Sequence, residues 1–198
     1  VYLTENTSVP IPFWADYIDG VVLGGAGGGR SGGTLGLYGE PGAAGRWAAV
    51  TWERGVHFDS GTDTSVAFTC GAGGSGGVAL THPAGGNGTA STLALTGYTL
   101  TAAGGQGGDA LLMGLASHEP GQGAGTYTFN SQPYVGGGAQ YTYGATGAAP
   151  GGGGCGGNWV NFQPGGAGAV GGGWVRFRQG AIEGGGDIPD TTPPTPPT

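Results

Sequence analysis

The side chains of this 198-residue chain that could do chemistry are three His, two Cys, five Arg and twelve carboxylates, and there is no Lys. Gly27-Gly28-Gly29-Arg30-Ser31-Gly32 spells GxGxxG directly after a β-like run. In a dinucleotide site those glycines open a helix whose N-terminus faces the pyrophosphate. The residues from Gly33 through Tyr38 to Pro41 cannot open one. GxSxG occurs twice, around Ser31 and around Ser75. The nucleophile elbow needs a strained strand-to-helix turn to expose its hydroxyl. Neither serine has the helix, and nothing marks His57, His82 or His118 as its base. A P-loop requires a Lys on the phosphates, so it is excluded. Metal sites need clustered ligands, and neither the scattered His nor the distant Cys70 and Cys155 provide them. Asp59-Ser60-Gly61-Thr62-Asp63 could approach a Ca²⁺ but departs from the EF-hand frame. Asp16, Asp19, Glu53, Asp59 and Asp63 sit in no recognisable glycosidase frame, a pairing that only the fold can make. His118-Glu119 reads as a solvated loop. The expectation is no catalytic residue, no cofactor and no metal.

Glycine explains the false motifs. It fills 52 of 198 positions, against roughly 7% in ordinary chains. Collagen needs Gly at every third position, and the run 24–33 lacks that frame. Disordered chains carry few aromatics and many charges, whereas here 10% of residues are aromatic and 9% charged. An ordered chain is therefore expected. The formal charge of -7, with Arg30, Arg46, Arg54, Arg176 and Arg178 as the only cations, excludes extended nucleic-acid contact and disfavours anionic membranes. No stretch approaches the roughly 20 apolar residues of a membrane helix. Val1 to Pro12 lacks the basic start and apolar core of a signal peptide. Cys70 and Cys155 read as small buried hydrophobes, with a disulfide left open.

The elements that must position everything else are strands. Tyr17–Leu23, Arg46–Trp52, Thr64–Cys70, Thr126–Phe129, Gln140–Tyr143 and Trp174–Arg178 read as β, and Val66, Phe68 and Cys70 should share a face. Ala90–Leu95 and Tyr98–Ala102 flank a Thr96-Gly97 turn and read as a hairpin. Asp109–Leu115 is the one plausible helical turn. This spacing predicts an all-β fold, a β-sandwich or jelly-roll-like core. Glycine runs at 24–33, 71–77, 104–108, 136–138, 151–157 and 165–173 adjoin the strands. Such runs can take the extended three-residue-per-turn polyproline II geometry, which leaves all backbone groups free for lateral bonds. The runs are expected to pack side by side at one end of the sandwich. The organisation predicted is an extended arm at 1–12, a glycine-rich β domain at 13–180 and a Pro/Thr-rich tail at 181–198. Such a tail is semi-rigid and, alone, disordered.

The order of these segments resembles a known family. An aromatic-flanked strand enters polyglycine (Phe13-Trp14 through Tyr17 to Gly28). A Trp-bearing strand ending Arg54-Gly55-Val56 follows, then Val66–Gly74, Leu100–Gly108 and the closing Gly171-Gly172-Gly173-Trp174-Val175-Arg176-Phe177. Over about residues 10–180 this resembles the glycine-rich domain of bacteriophage minor tail and tail-fibre proteins, especially those infecting actinobacteria. The resemblance implies a non-enzymatic virion component of the tail tip or fibre, assembled in the host cytoplasm. It implies a homo-oligomer, with a trimer favoured, bound to other tail proteins. Some glycine-rich phage adhesins pack polyglycine helices into a sandwich whose tip loops touch the host. For a cell-surface glycan, the candidate contacts are Tyr127, Phe129, Tyr134, Tyr141, Tyr143 and Trp159, each of which would serve equally as core or interface packing. A purely structural decoration, stalk or connector subunit is the alternative. A cell-wall-degrading enzyme ranks last.

Overall fold

The computed structural model describes residues 1–180 except 35, 60, 80, 82 and 114–118. Its strands are β1 (Tyr2–Leu3), β2 (Thr7–Pro10), β3 (Tyr17–Leu23), β4 (Leu37–Gly39), β5 (Trp47–Glu53) and β6 (Ser65–Thr69). They continue with β7 (Ser91–Leu95), β8 (Tyr98–Ala102), β9 (Leu111–Met113), β10 (Thr126–Phe129), β11 (Gln132–Val135) and β12 (Gly172–Arg178). Two antiparallel sheets, β1-β12-β3-β5 and β2-β6-β7-β8, face one another. The all-β sandwich expected from strand spacing is the fold.

Period-two patterning builds the core. Ile18 and Val22 of β3, Trp52 of β5 and Val175 of β12 point inward from one sheet. Val66, Phe68, Leu93 and Leu95 meet them from the other. Each buried side chain of this size contributes about 1.5–3 kcal/mol. Residues 1–12, expected as an extended arm, are extended and spliced into both sheets, β1 beside β12 and β2 beside β6.

Past the strand ends the sheets merge into a lattice of glycine rods. Residues 24–33, the continuation of β3, run through its centre and are buried throughout, Arg30 alone excepted in being half-buried. Their N–H groups donate in strict rotation to three rods. Gly24, Gly27 and Arg30 bond the carbonyls of Arg46, Ala43 and Glu40; Gly25 and Gly28 bond Thr89 and Gly86; Ala26, Gly29 and Gly32 bond Ala169, Gly166 and Gln163. Their carbonyls accept in the same rotation from three others: Gly105 and Gly108, Gly74 and Gly77, and Gly154 and Gly157. The six rods also bond one another in a closed ring, in the order 39–46, 103–110, 84–89, 71–77, 163–171, 151–157. Descending pairings mark antiparallel neighbours, so direction alternates around the ring.

Three residues per turn is the polyproline II period, and it explains the rotation: successive residues point 120° apart. The expectation that the runs pack side by side at one end is met for five of the six; the run 136–138 lies outside the ring, with Gly137 N–H bonding the Pro150 carbonyl and Gly136 N–H that of Gly125. Two further rods, 39–46 and 84–89, join the ring although their composition hides them. Gly39, Gly42 and Gly45, and Gly85 and Gly88, recur every third residue and turn their Cα atoms to the central rod. A Cβ on Gly42 or Gly85 would stand 2.0 Å from a central carbonyl oxygen. The central rod itself carries Gly at nearly every step because neighbours crowd it on all sides; a Cβ on Gly27 would lie 1.9 Å from the Gln106 oxygen.

Five of the six ring rods and the central rod are direct extensions of β12, β3, β5, β6, β7 and β8. Ordering a residue costs about 1–2 kcal/mol, and a net backbone hydrogen bond returns about 0.5–1.5 kcal/mol. Those terms nearly cancel, so the lattice depends on the sandwich to hold its rods in place. Ser91 ties the joint, donating to the Leu23 carbonyl at 2.7 Å and accepting the Gly71 N–H at 2.9 Å.

Two local expectations are corrected. Asp109–Leu115 is no helical turn in its described part: Leu111–Met113 is strand β9, paired with β4, because the Glu40 carboxylate takes the N–H groups of Asp109 and Ala110 and holds them extended. Gln140–Tyr143 is no strand; Gln140 bridges Gly121 alone, and the chain bends after it. Cys70, half-buried just past the end of β6, packs against the core cluster of Val66 and Phe68, on the face expected for it. Residues 181–198 lie outside the described residues.

Candidate functional site

The lattice ends in loops at the pole away from the sandwich. Rods 24–33, 71–77, 103–108 and 151–157 all run outward there and deliver Arg30, Val78, Asp109 and Trp159 to it. Tyr38 of β4 is the organiser. Its ring stacks on Tyr143 with centroids 5.4 Å apart, and its hydroxyl accepts the Trp159 indole N–H at 3.2 Å. Burial, with Tyr38 next to it, raises the Tyr143 hydroxyl above its ordinary pKa, so it stays a neutral donor. The Trp159 loop is pinned at both feet: Gln163 N–H bonds the Asn158 carbonyl and Gly165 N–H bonds that of Gly77. Within it, Phe162 holds φ at +51°, a strained value for an aromatic residue. Trp159, Val160, Tyr141, Val78 and Met113 are all exposed here.

A second aromatic surface lies on the outer face of the β1-β12-β3-β5 sheet. Tyr2, Trp174, Trp47 and Tyr127 form a four-ring stack with centroid spacings of 4.9, 5.3 and 5.6 Å. Tyr134 meets Trp174 edge-on at 5.7 Å. The β10–β11 hairpin lies over this face, and Asn130 at its turn donates to Asp19 at 2.9 Å and to Thr51 at 3.0 Å. Beneath the hairpin Arg178 grips Asp19 through two bonds of 2.7 and 2.8 Å, with both side chains buried.

The six aromatics singled out from sequence therefore divide. Tyr143 and Trp159 converge on Tyr38, with Tyr141 exposed beside them. Tyr127 and Tyr134 pack against the sheet, and Phe129, half-buried, shares their hairpin. Tyr38 was missed; the signal was an aromatic between Gly36 and Gly39, a residue too bulky for the lattice and so placed at its end.

The chemical candidates are each accounted for. Ser31 is fully buried in the central rod, out of reach of a substrate, and Ser75 sits on the lattice flank. His57 accepts the Glu53 N–H at 3.1 Å and packs edge-on to Tyr98; His82 and His118 lie outside the described residues. Asp63 spends its carboxylate on the N–H groups of Asp59 and Thr96 and the Thr62 hydroxyl, and Asp59 caps Gly61. The Thr96 side chain, with these N–H groups, holds the Asp63 carboxyl below its usual pKa. Among the described residues no three metal-ligating side chains gather. Cys70 and Cys155 are not joined in a disulfide, and burial raises both thiols, which leaves them poor nucleophiles.

A family model, the glycine-rich domain, matches residues 3–178. This chain belongs to the glycine-rich domain family. Two relatives are phage proteins. The Gene 32 protein of Mycobacterium phage L5 is 43% identical over 141 residues, covering 69% of this chain and 62% of that protein. The Gene 32 protein of Mycobacterium phage D29 is 34% identical over 148 residues, covering 73% of this chain and 65% of that one. The chain spans just under two thirds of the length of each. The glycine-rich domain described here is thus of bacteriophage type.

Proposed function

We propose that this glycine-rich domain is a non-enzymatic structural protein of a phage tail tip or tail fibre, and that its lattice pole meets the host cell surface. The observation that carries the reading is the pole itself. Rigid rods with no side-chain freedom end in a pinned loop that exposes Trp159 and Val160 beside Tyr141, and binding loops on a rigid scaffold are the expected design for recognition. Stacked aromatic rings with neutral hydroxyl and amide neighbours suit the faces of a cell-wall glycan. The sandwich pole, from which the chain continues beyond Gly180, would face the other tail proteins, in a homo-oligomer for which a trimer is favoured.

The test uses the assembled protein on mycobacterial cells and purified wall fragments. Saturable binding that falls at least tenfold in Trp159→Ala, with unchanged thermal stability, supports the reading. A second reading, a connector or stalk that touches virion proteins only, draws on the hairpin packing of Tyr127 and Tyr134, which consumes aromatics in the fold. Absence of binding by the correctly assembled oligomer, with the protein located inside the tail by labelling of intact virions, would favour it. Release of soluble sugars or peptides from the wall fragments would instead indicate an enzyme.

A further inference from the structure

Most arginines of this chain are committed inside it. Arg178 grips Asp19, Arg54 bonds the carbonyls of Ala15 and Phe13, Arg30 bonds that of Asp109 and Arg176 that of Asn130. Arg46 is exposed, and its guanidinium has no partner among the described residues. It lines a cavity of about 430 Å³ on the lattice flank, between rod 39–46 and the segment 122–124. No carboxylate is among the residues that line it, although the chain carries twelve and a formal charge of -7.

Two further donors belong to this cavity. The three-residue turn commits two N–H groups in every three on the rod: Gly42 and Gly45 bond Gly154 and Gly151, while Ala43 and Arg46 bond Gln106 and Ala103. The third row falls at Pro41, which has no N–H, and at Ala44, whose N–H finds no acceptor among the described residues. Ala44 lines the cavity, as does the exposed Gln122. The Gln122 side-chain amide is likewise without a partner among the described residues. The walls are preformed. Gln122 bonds Gly42 and Gly153 through its backbone. Trp47 is clamped between Tyr127 and Trp174, with its indole N–H on the Ala124 carbonyl at 2.9 Å.

A guanidinium presents its N–H groups in a fixed plane and takes a planar carboxylate through two parallel bonds. A side-chain amide and a backbone N–H supply further donors. The negative charge of the rest of the chain repels anions elsewhere, and the volume lies within the range of small-ligand pockets. We propose that this cavity binds a carboxylate group through Arg46, with Gln122 and the Ala44 N–H as supporting donors. A sugar acid and an amino-acid carboxylate offer the same chemistry to it. The site is separate from Trp159 and does not rest on the reading of the lattice pole.

The test titrates the ¹⁵N-labelled protein at constant ionic strength and follows the Ala44 amide and the Arg46 Nε–H by NMR. Sodium D-glucuronate and sodium N-acetylglycinate present the carboxylate on a sugar and on an amino acid; D-glucose and sodium chloride are the controls. At least one carboxylate should shift both resonances saturably and leave the Thr96 amide in place, and the tighter binder names the source. Glucose should move neither. Arg46→Gln should weaken binding at least about tenfold with unchanged thermal stability, and Arg46→Lys should fall between, because it keeps the charge and loses the fork. Trp159→Ala should bind these probes as the wild type does, so failure here and failure of the pole reading are told apart. Shifts that rise linearly without saturation, or that chloride reproduces, mean an adventitious ion only and overturn the proposal. Undiminished binding by Arg46→Gln overturns it as well.

Discussion

The sandwich and the glycine lattice share six chain segments that pass from one into the other, and the two obey opposite rules. In the sandwich, side chains set the spacing. Leu93, Phe68 and Trp52 fill the gap between sheets that pack about 10 Å apart, and the backbone bonds only sideways within each sheet. In the lattice the side chains are gone, the chains close up, and each central residue bonds outward in a direction set by its place in a three-residue turn. A hydrophobic core accepts a range of shapes at each position so long as volume is kept. The lattice accepts almost no shape, because what stands opposite each inward Cα is a carbonyl of another rod rather than a flexible side chain. One half of the molecule is specified by what residues carry, the other by what they lack.

The contrast can be broken at its sharpest point first. Gly27→Ala places a methyl 1.9 Å from the Gln106 oxygen, with backbone atoms on every side. It should cost about 4 kcal/mol or more, the range reserved for severe core damage, and read out in thermal denaturation as loss of the folded state. Gln106→Ala, on the exposed outward position of its rod, should stay within about 0.5 kcal/mol. Equal tolerance at the two sites would refute the lattice.

Next in size is the buried ion pair beneath the hairpin. Asp19→Ala removes the carboxylate that Arg178, Thr51 and Asn130 all address, and should destabilise by about 3–5 kcal/mol in chemical denaturation. Because Asn130 loses its anchor, hydrogen exchange in β10 and β11 should quicken more than in β6 and β7. Uniform change across all four strands would show that the hairpin is not held there.

The sandwich should prove the more forgiving half. Leu93→Ala should cost about 2–5 kcal/mol through the cavity it leaves, but Leu93→Met less than about 1.5 kcal/mol. No comparable conservative change exists for Gly27, and a mild Gly27 variant would erase the distinction drawn above.

The smallest effect belongs to the loop at the sandwich pole. The folded Asp63 carboxyl has its pKa lowered by Thr96, with the Asp59 and Thr96 N–H groups. Its contribution is therefore fully present above the unfolded value of about 3.9 and is lost as pH falls through the folded one. Asp63→Asn should cost about 1 kcal/mol near neutral pH, and the gap from wild type should shrink as pH drops below about 4. A gap that widened on acidification would reverse the sign.

Much of the fold was legible. Tyr17–Leu23 emerged with its predicted bounds, and the Thr96-Gly97 turn joins β7 to β8 as its residues required, with Gly97 at φ +81°. The candidate site was legible only in part. The stretch from Tyr127 to Trp159 stood out as aromatic, yet its rings serve two surfaces separated by the length of the lattice. Nothing in residue spacing tells Tyr134, folded onto Trp174, from Tyr143, folded onto Tyr38. The rods 39–46 and 84–89 escaped notice because a ring position needs Gly only on the face that meets its neighbours.

By itself the sequence determined the all-β class, the exclusion of motif chemistry and the tendency of its glycine runs toward extended three-fold rods. These follow from local physics: the pattern of side chains along a strand, the absence of a helix after GxGxxG, and the freedom of a residue without Cβ. Only the tertiary structure decided which rod is central, how the ring closes and which aromatics share a surface. Those outcomes depend on hydrogen bonds between residues as distant as Gly29 and Gly166, and no local pattern records the partner of a bare backbone.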